Sequence, residues 1–170
     1  MPVSPEKKAR RQREALLVSQ YIAENFPNSR VFFQQRVGPI NPTIPNNATT
    51  REERMVLGNF RRAADAIIIL PVEIVVLEGY IHPNLGKISQ LLTYIELVPF
   101  TPELQDFVAL PVRGLIVGAQ SDPVLTGMAA RFSISVEIFQ PSWVKDYLIG
   151  LGGRFARERN SLLPKIIGSK

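Results

Sequence analysis

Two carboxylates, followed by three polar side chains, carry the chemistry this sequence could perform. Asp65 opens one apolar run, "ADAIIILP" (64–71), and Glu78 lies near the end of the next, "VEIVVLEGY" (72–80). Both runs are rich in β-branched residues and break at Pro71, the pattern of two strands. A hairpin with a tight turn at that break brings both carboxylates to the same end of a sheet. Carboxylates brought together repel, and they hold their charge best around a cation. Oxygen-rich sites of this kind suit Mg²⁺ or Mn²⁺. Such a metal can activate water and steady the charge on a phosphodiester in transit. Further on, Lys87, Gln90 and Tyr94 stand at i, i+3 and i+7 in "NLGKISQLLTYIELV" (84–98). They form a polar stripe beside the apolar stripe of Ile88, Leu92 and Ile95. A helix packing back across the sheet would turn that polar stripe to the carboxylate end.

The elements needed to position these residues can be read along the chain. Residues 5–26 carry Leu17, Val18, Tyr21, Ile22 and Phe26 on one helical face, and Pro27-Asn28 stops the helix. "RVFFQQRV" (30–37) reads as a strand. Residues 38–50, rich in proline and asparagine, read as an inserted loop, and 51–63 as a helix capped by Thr49 or Thr50. After the two strands and the helix at 84–98, which Asn84 could cap, "PVRGLIVGA" (111–119) reads as a buried strand. "RFSISVEIF" (131–139) alternates like a strand with one exposed face. "PSWVKDYLIGL" (141–151) reads as a short helix ended by Gly152-Gly153. The expectation is an α/β fold with an αβββαβ core and an extra C-terminal strand and helix. One domain over 1–153 is expected, followed by a basic tail at 154–170.

In this order and spacing, Asp65, Glu78 and "QLLTY" (Gln90 and Tyr94 on the next helix) resemble the PD-(D/E)XK nuclease superfamily. The branch with a Q-x-x-x-Y motif, that of RecB- and Cas4-type nucleases, is the most similar. The resemblance covers roughly residues 5–119. It implies the restriction-endonuclease-like fold, a central mixed sheet flanked by helices. It implies Asp65 and Glu78 as ligands of Mg²⁺ or Mn²⁺, with Gln90 and Tyr94 orienting substrate or water. The family pattern asks for E-x-K, and the lysine position here holds Tyr80. A tyrosine supplies no fixed positive charge at neutral pH, its ordinary pKa being about 10. Either the lysine has migrated, with Lys87 reaching the same space from the helix, or the fold is kept without catalysis. The first alternative makes the chain a metal-dependent DNA endonuclease or exonuclease with Asp65, Glu78, Lys87, Gln90 and Tyr94 as its working residues. The second makes it a structural or assembly module, for example a phage virion component, with protein partners or a homo-oligomer.

Composition narrows the field. The chain has no cysteine, so disulfides, thiolate metal sites and a cysteine nucleophile are excluded. Its one histidine, His82, rules out multi-histidine zinc chemistry, and no G-x-S-x-G elbow accompanies it. There is no glycine-rich phosphate loop. The net charge is +5, concentrated in 6–14 and 154–170. Basic ends of this kind suit an acidic partner such as DNA. Arg36, Arg51 and Arg54 are candidate phosphate contacts or plain exposed charge. Trp143 and Tyr147 share a helix face and read as core. No apolar run long enough to cross a bilayer and no leader-like stretch are seen. The expectation is a cytoplasmic protein, in the host cytoplasm or virion if phage-encoded, with no membrane partner.

Overall fold

The computed structural model describes residues 5–40 and 61–150. The expected loop from 41 to 50, the helix at 51–60 with Arg51 and Arg54, and the basic tail lie outside the described residues. The described residues up to Phe139 form one compact unit, and 140–150 belong to a second.

The first unit runs α1 (Pro5–Asn25), β1 (Arg30–Val37), β2 (Arg62–Ile69), β3 (Ile74–Tyr80), α2 (Gly86–Leu97), β4 (Val112–Gly118), α3 (Pro123–Ala130) and β5 (Ser135–Ile138). Two 3₁₀ segments, Val98–Phe100 and Pro102–Phe107, join α2 to β4. The strands lie in one sheet in sequence order. β1 pairs antiparallel with β2, and β2 with β3. β3 pairs parallel with β4, and β4 with β5. The sheet is therefore mixed, and the fold is the α/β architecture expected. The parallel pairs need long connections, which α2 and α3 supply.

Why β3 sits at the centre follows from its sequence. All seven residues of "IVVLEGY" are buried, as a strand covered on both faces requires. On one face Val75 and Leu77 pack with Val18, Tyr21 and Ile22 of α1. On the other, Ile74, Val76 and Tyr80 pack with Ile88 and Leu91 of α2 and with Leu125 and Ala129 of α3. The β2–β3 hairpin turns at Pro71-Val72, closed by the Leu70 amide donating to the Glu73 carbonyl at 2.9 Å. The N-cap of α2 is Leu85 rather than the expected Asn84, and no side chain caps the helix; Asn84 Oδ1 instead accepts from the Gly86 amide at 2.9 Å, closing the turn that precedes it.

Several expectations are corrected. β2 begins at Arg62, so residues 62 and 63 are strand rather than helix. α3 was unforeseen, although Ser-Asp-Pro marks its start. Asp122 Oδ1 accepts from the amides of Val124 and Leu125 at 2.8 and 3.0 Å, with Pro123 in the first turn. The last strand is shorter than 131–139. The Ile134 amide donates back to the Ala129 carbonyl, and Ser133 takes a φ of 57°, so the start of "RFSISVEIF" ends α3 instead. The buried ridge of α2 is Ile88, Leu91 and Tyr94, with Leu92 and Ile95 only partly covered. In the second unit residues 142–150 are helical, and Trp143 and Tyr147 are half-buried. No helix among the described residues is long and apolar enough to cross a membrane.

Tyr80 is a core residue. Its hydroxyl donates to the Gln120 carbonyl at 2.8 Å. Its ring lies over Gly118, its neighbour on β4. A Cβ on Gly118 would fall within 2.2 Å of that ring. Gly118→Ala must displace a ring that has no free space, and overpacking of this kind costs about 1–3 kcal/mol. The expected outcome in urea denaturation is a loss of at least that order. Unchanged stability would show that Tyr80 is not held as described.

Candidate active site

The β2–β3 ladder ends at the pair Ala66 and Leu77. Beyond it, side chains replace backbone partners. The Asp65 amide donates to Glu78 Oε1 at 3.1 Å, and the Gly79 amide donates to Asp65 Oδ2 at 2.9 Å. Each carboxylate thus takes an amide from the opposing strand, which fixes both side chains against the sheet. Gly79 also lets α1 approach, since a Cβ there would lie 2.4 Å from Val18 Cγ2.

Lys87, in the first turn of α2, enters the same space. Its Nζ donates to Glu78 Oε2 at 2.6 Å and lies 3.5 Å from Asp65 Oδ2. Gln34 of β1 reaches Asp65 from the other side, its Nε2 donating to Oδ1 at 3.2 Å. Gln34 holds a φ of 49°, the left-handed region that a residue with a Cβ adopts at a cost of about 1–2 kcal/mol. All four carboxylate oxygens are therefore hydrogen-bonded. These groups face a cleft of about 680 Å³. Asp65, Glu78, Lys87, Gln90 and Tyr94 all line it, together with Arg11 and Glu14 from α1. The five residues singled out from the sequence converge.

The electrostatics follow from burial. Glu78, 2% exposed, is pushed up to about 7 by burial and then by the Asp65 charge, against the pull of Lys87. Burial works against the Lys87 ammonium, but Glu78 and Asp65 outweigh it and its pKa is raised. Tyr94, 5% exposed, is raised by burial and then by the Glu78 charge, so its hydroxyl stays protonated. Tyr94 is thus a core residue whose polar end reaches the cleft, while Gln90 is exposed.

The donor set suits a small hard cation that shares its coordination with a ligand, because Mg²⁺ commonly takes one or two carboxylates and completes its shell with phosphate and water. The Lys87 ammonium stands between the two carboxylates, and a divalent ion would have to move it aside. Among the described residues, no group of three or more His, Cys, Asp or Glu is placed to hold a metal ion.

No family model matches the chain, and no curated protein matches it. Two solved structures of repair endonucleases align with it. One is a repair endonuclease from Pyrococcus abyssi, at 17% identity over 74% of this chain and 46% of that one, with a TM-score of 0.45. The other is the EndoMS–dsDNA2 complex, at 16% identity over 74% and 44%, also with a TM-score of 0.45. The chain spans about half the length of either.

Two cleft residues escaped the sequence reading. Gln34 sits in a run of polar residues on an edge strand, and nothing in its spacing marks it. Glu14 is not marked by any spacing in the sequence, and in α1 it pairs with Arg10 at 3.1 Å. His82 is elsewhere, its Nδ1 3.3 Å from Gln120 Nε2. Arg36 is exposed and does not line the cleft.

The raised Glu78 pKa sets a pH dependence. The folded state holds the Glu78 proton more tightly than the unfolded chain does. Its contribution to stability is therefore complete below about 4.5 and is lost as the pH rises through about 7. Glu78→Gln removes this dependence. The stability of the variant relative to the unaltered protein should climb over that window by on the order of 3 kcal/mol. Denaturant titrations across the window measure it, and a flat difference would contradict the burial assigned to Glu78.

Proposed function

We propose that the cleft is the centre of a metal-dependent phosphodiester hydrolase of the PD-(D/E)XK type acting on DNA, with its lysine supplied by α2. The observation that carries this reading is the convergence of Asp65, Glu78 and Lys87 in one cleft with Gln90 and Tyr94. Two strands and the next helix deliver these five residues to one place, three of them as a hydrogen-bonded ion network at the end of the ladder. Asp65 and Glu78 would hold Mg²⁺ or Mn²⁺, which would supply positive charge to offset that building on the phosphodiester. Lys87 offers an ammonium to a phosphate oxygen or to the attacking water. Tyr94, kept protonated, and the exposed amide of Gln90 are donors for the non-bridging oxygens. Arg11 lines the same cleft, where a backbone phosphate could be met. The basic stretch of α1 extends that contact and makes binding salt-dependent.

The test is cleavage of single-stranded, double-stranded and branched DNA with Mn²⁺ and Mg²⁺. Asp65→Asn, Glu78→Gln and Lys87→Met should each lower the rate by a factor on the order of 10² or more, the usual scale for a lost acid–base or charge-stabilising group. Tyr94→Phe should lose less. No cleavage under any condition, or cleavage indifferent to Glu78 and Lys87, overturns the enzyme reading. The fold would then be a binding or assembly module.

A further inference from the structure

Beside the charged cleft lies a second cavity of different chemistry, about 410 Å³, between α1 and the edge strand β1. The two share Gln12, Ala15, Gln34 and Asp65 as lining, so they adjoin along those residues. The second half is floored by Leu16, Val18 and Phe33. Phe33 is 54% exposed and Leu16 43% exposed, an open aromatic and an open aliphatic side by side in one concave place. Its polar lining among the described residues is the amides of Gln12 and Gln34, the Ser19 hydroxyl and Asp65, which both halves share.

We propose that this groove is a subsite for one unpaired nucleobase of the strand whose phosphodiester lies in the cleft. The inference rests on the nuclease reading and names the substrate class it implies, a strand with a base free of its partner. A phosphodiester needs cationic donors, and the first half supplies Lys87 and Arg11. A base needs an apolar face to stack on and neutral donors and acceptors for its edge, and the second half supplies Phe33 with the amides of Gln12 and Gln34, while the Ser19 hydroxyl, which donates to the Leu16 carbonyl at 3.0 Å, is left as an acceptor. Nucleotides carry these two chemistries side by side, joined through the sugar, and the adjoining cavities repeat that order. Gln34 stands at the junction with its amide on Asp65. A base stacked inside a duplex cannot enter a concave groove without leaving its stack, at a cost of a few kcal/mol. The groove therefore favours single-stranded, frayed or mismatched DNA over a perfect duplex.

Binding without cleavage tests this. Labelled oligothymidylate, an abasic strand of equal length and a fully paired duplex are titrated by fluorescence anisotropy with metal chelated. The protein should bind oligothymidylate about tenfold more tightly than the abasic strand, the scale of one base stacked on an aromatic ring. Phe33→Ala should erase that preference while leaving abasic binding unchanged, and Phe33→Trp should keep it. Circular dichroism checks that both variants fold. Equal binding of oligothymidylate and the abasic strand overturns the subsite, as does a Phe33→Ala loss that falls equally on both. The subsite and the nuclease reading can fail separately. Base preference without any cleavage keeps the first and sinks the second, whereas cleavage without base preference does the reverse.

Discussion

A buried ammonium held between two carboxylates, at the point where a β-ladder gives way to side chains, is the constraint on which the rest of the structure hangs. Glu78 comes from the most buried strand of the sheet, and an ionised carboxylate there is costly without a partner. The nearest cation has to come from a neighbouring element. Lys87 supplies it at 2.6 Å from the start of α2. That contact fixes where α2 begins relative to the end of β3. Ile88 and Leu91 then continue the helix over the sheet. Removing one partner of such a pair strands the other in a poor dielectric, at a typical cost of about 3–5 kcal/mol, whereas replacing both with apolar groups is often neutral. A pair kept in this position is weak support for stability as its reason.

The strand position two residues past Glu78 serves packing. Tyr80 fills the hollow over Gly118 and places its hydroxyl on the Gln120 carbonyl. A lysine there would have to give up both. Asp65 and Glu78 each accept the amide that a regular ladder would have given to a carbonyl, so the sheet end opens while its donors stay satisfied. Gln34, directly across from Asp65, departs from the extended conformation at the same level.

Much of this was legible in the sequence because the signals were local. Period-two and β-branched runs gave the strands, and the Pro71 break gave the hairpin that brings Asp65 and Glu78 together. The i, i+3, i+7 spacing put Lys87, Gln90 and Tyr94 on one side of α2. What was not legible depended on distance in the chain. Gln34 reaches Asp65 across 31 positions, and neither its type nor its neighbours announce it. Glu14 is one charge among many in a basic stretch, and only the packing of α1 on Gly79 brings it to the cleft. α3 was missed for another reason. Its capping signal, Ser-Asp-Pro, was present, but Thr126 and Gly127 dilute the helical pattern behind it, and the alternation of "RFSISVEIF" drew the strand too far back.

Charge balance at the cleft gives the arrangement a further logic. Asp65, Glu78 and Glu14 share it with Lys87 and Arg11, so a polyanion approaching meets no strong net attraction from the site itself. Within the cleft a phosphate and the carboxylates repel unless a cation lies between them. In its present position Lys87 is that cation for the carboxylates alone. Its four-carbon stem lets Nζ swing without moving the helix, as a guanidinium fork held in two places could not. Glu14 lines the same cleft and its charge also helps raise the Lys87 pKa, so the ammonium has a third carboxylate within its reach.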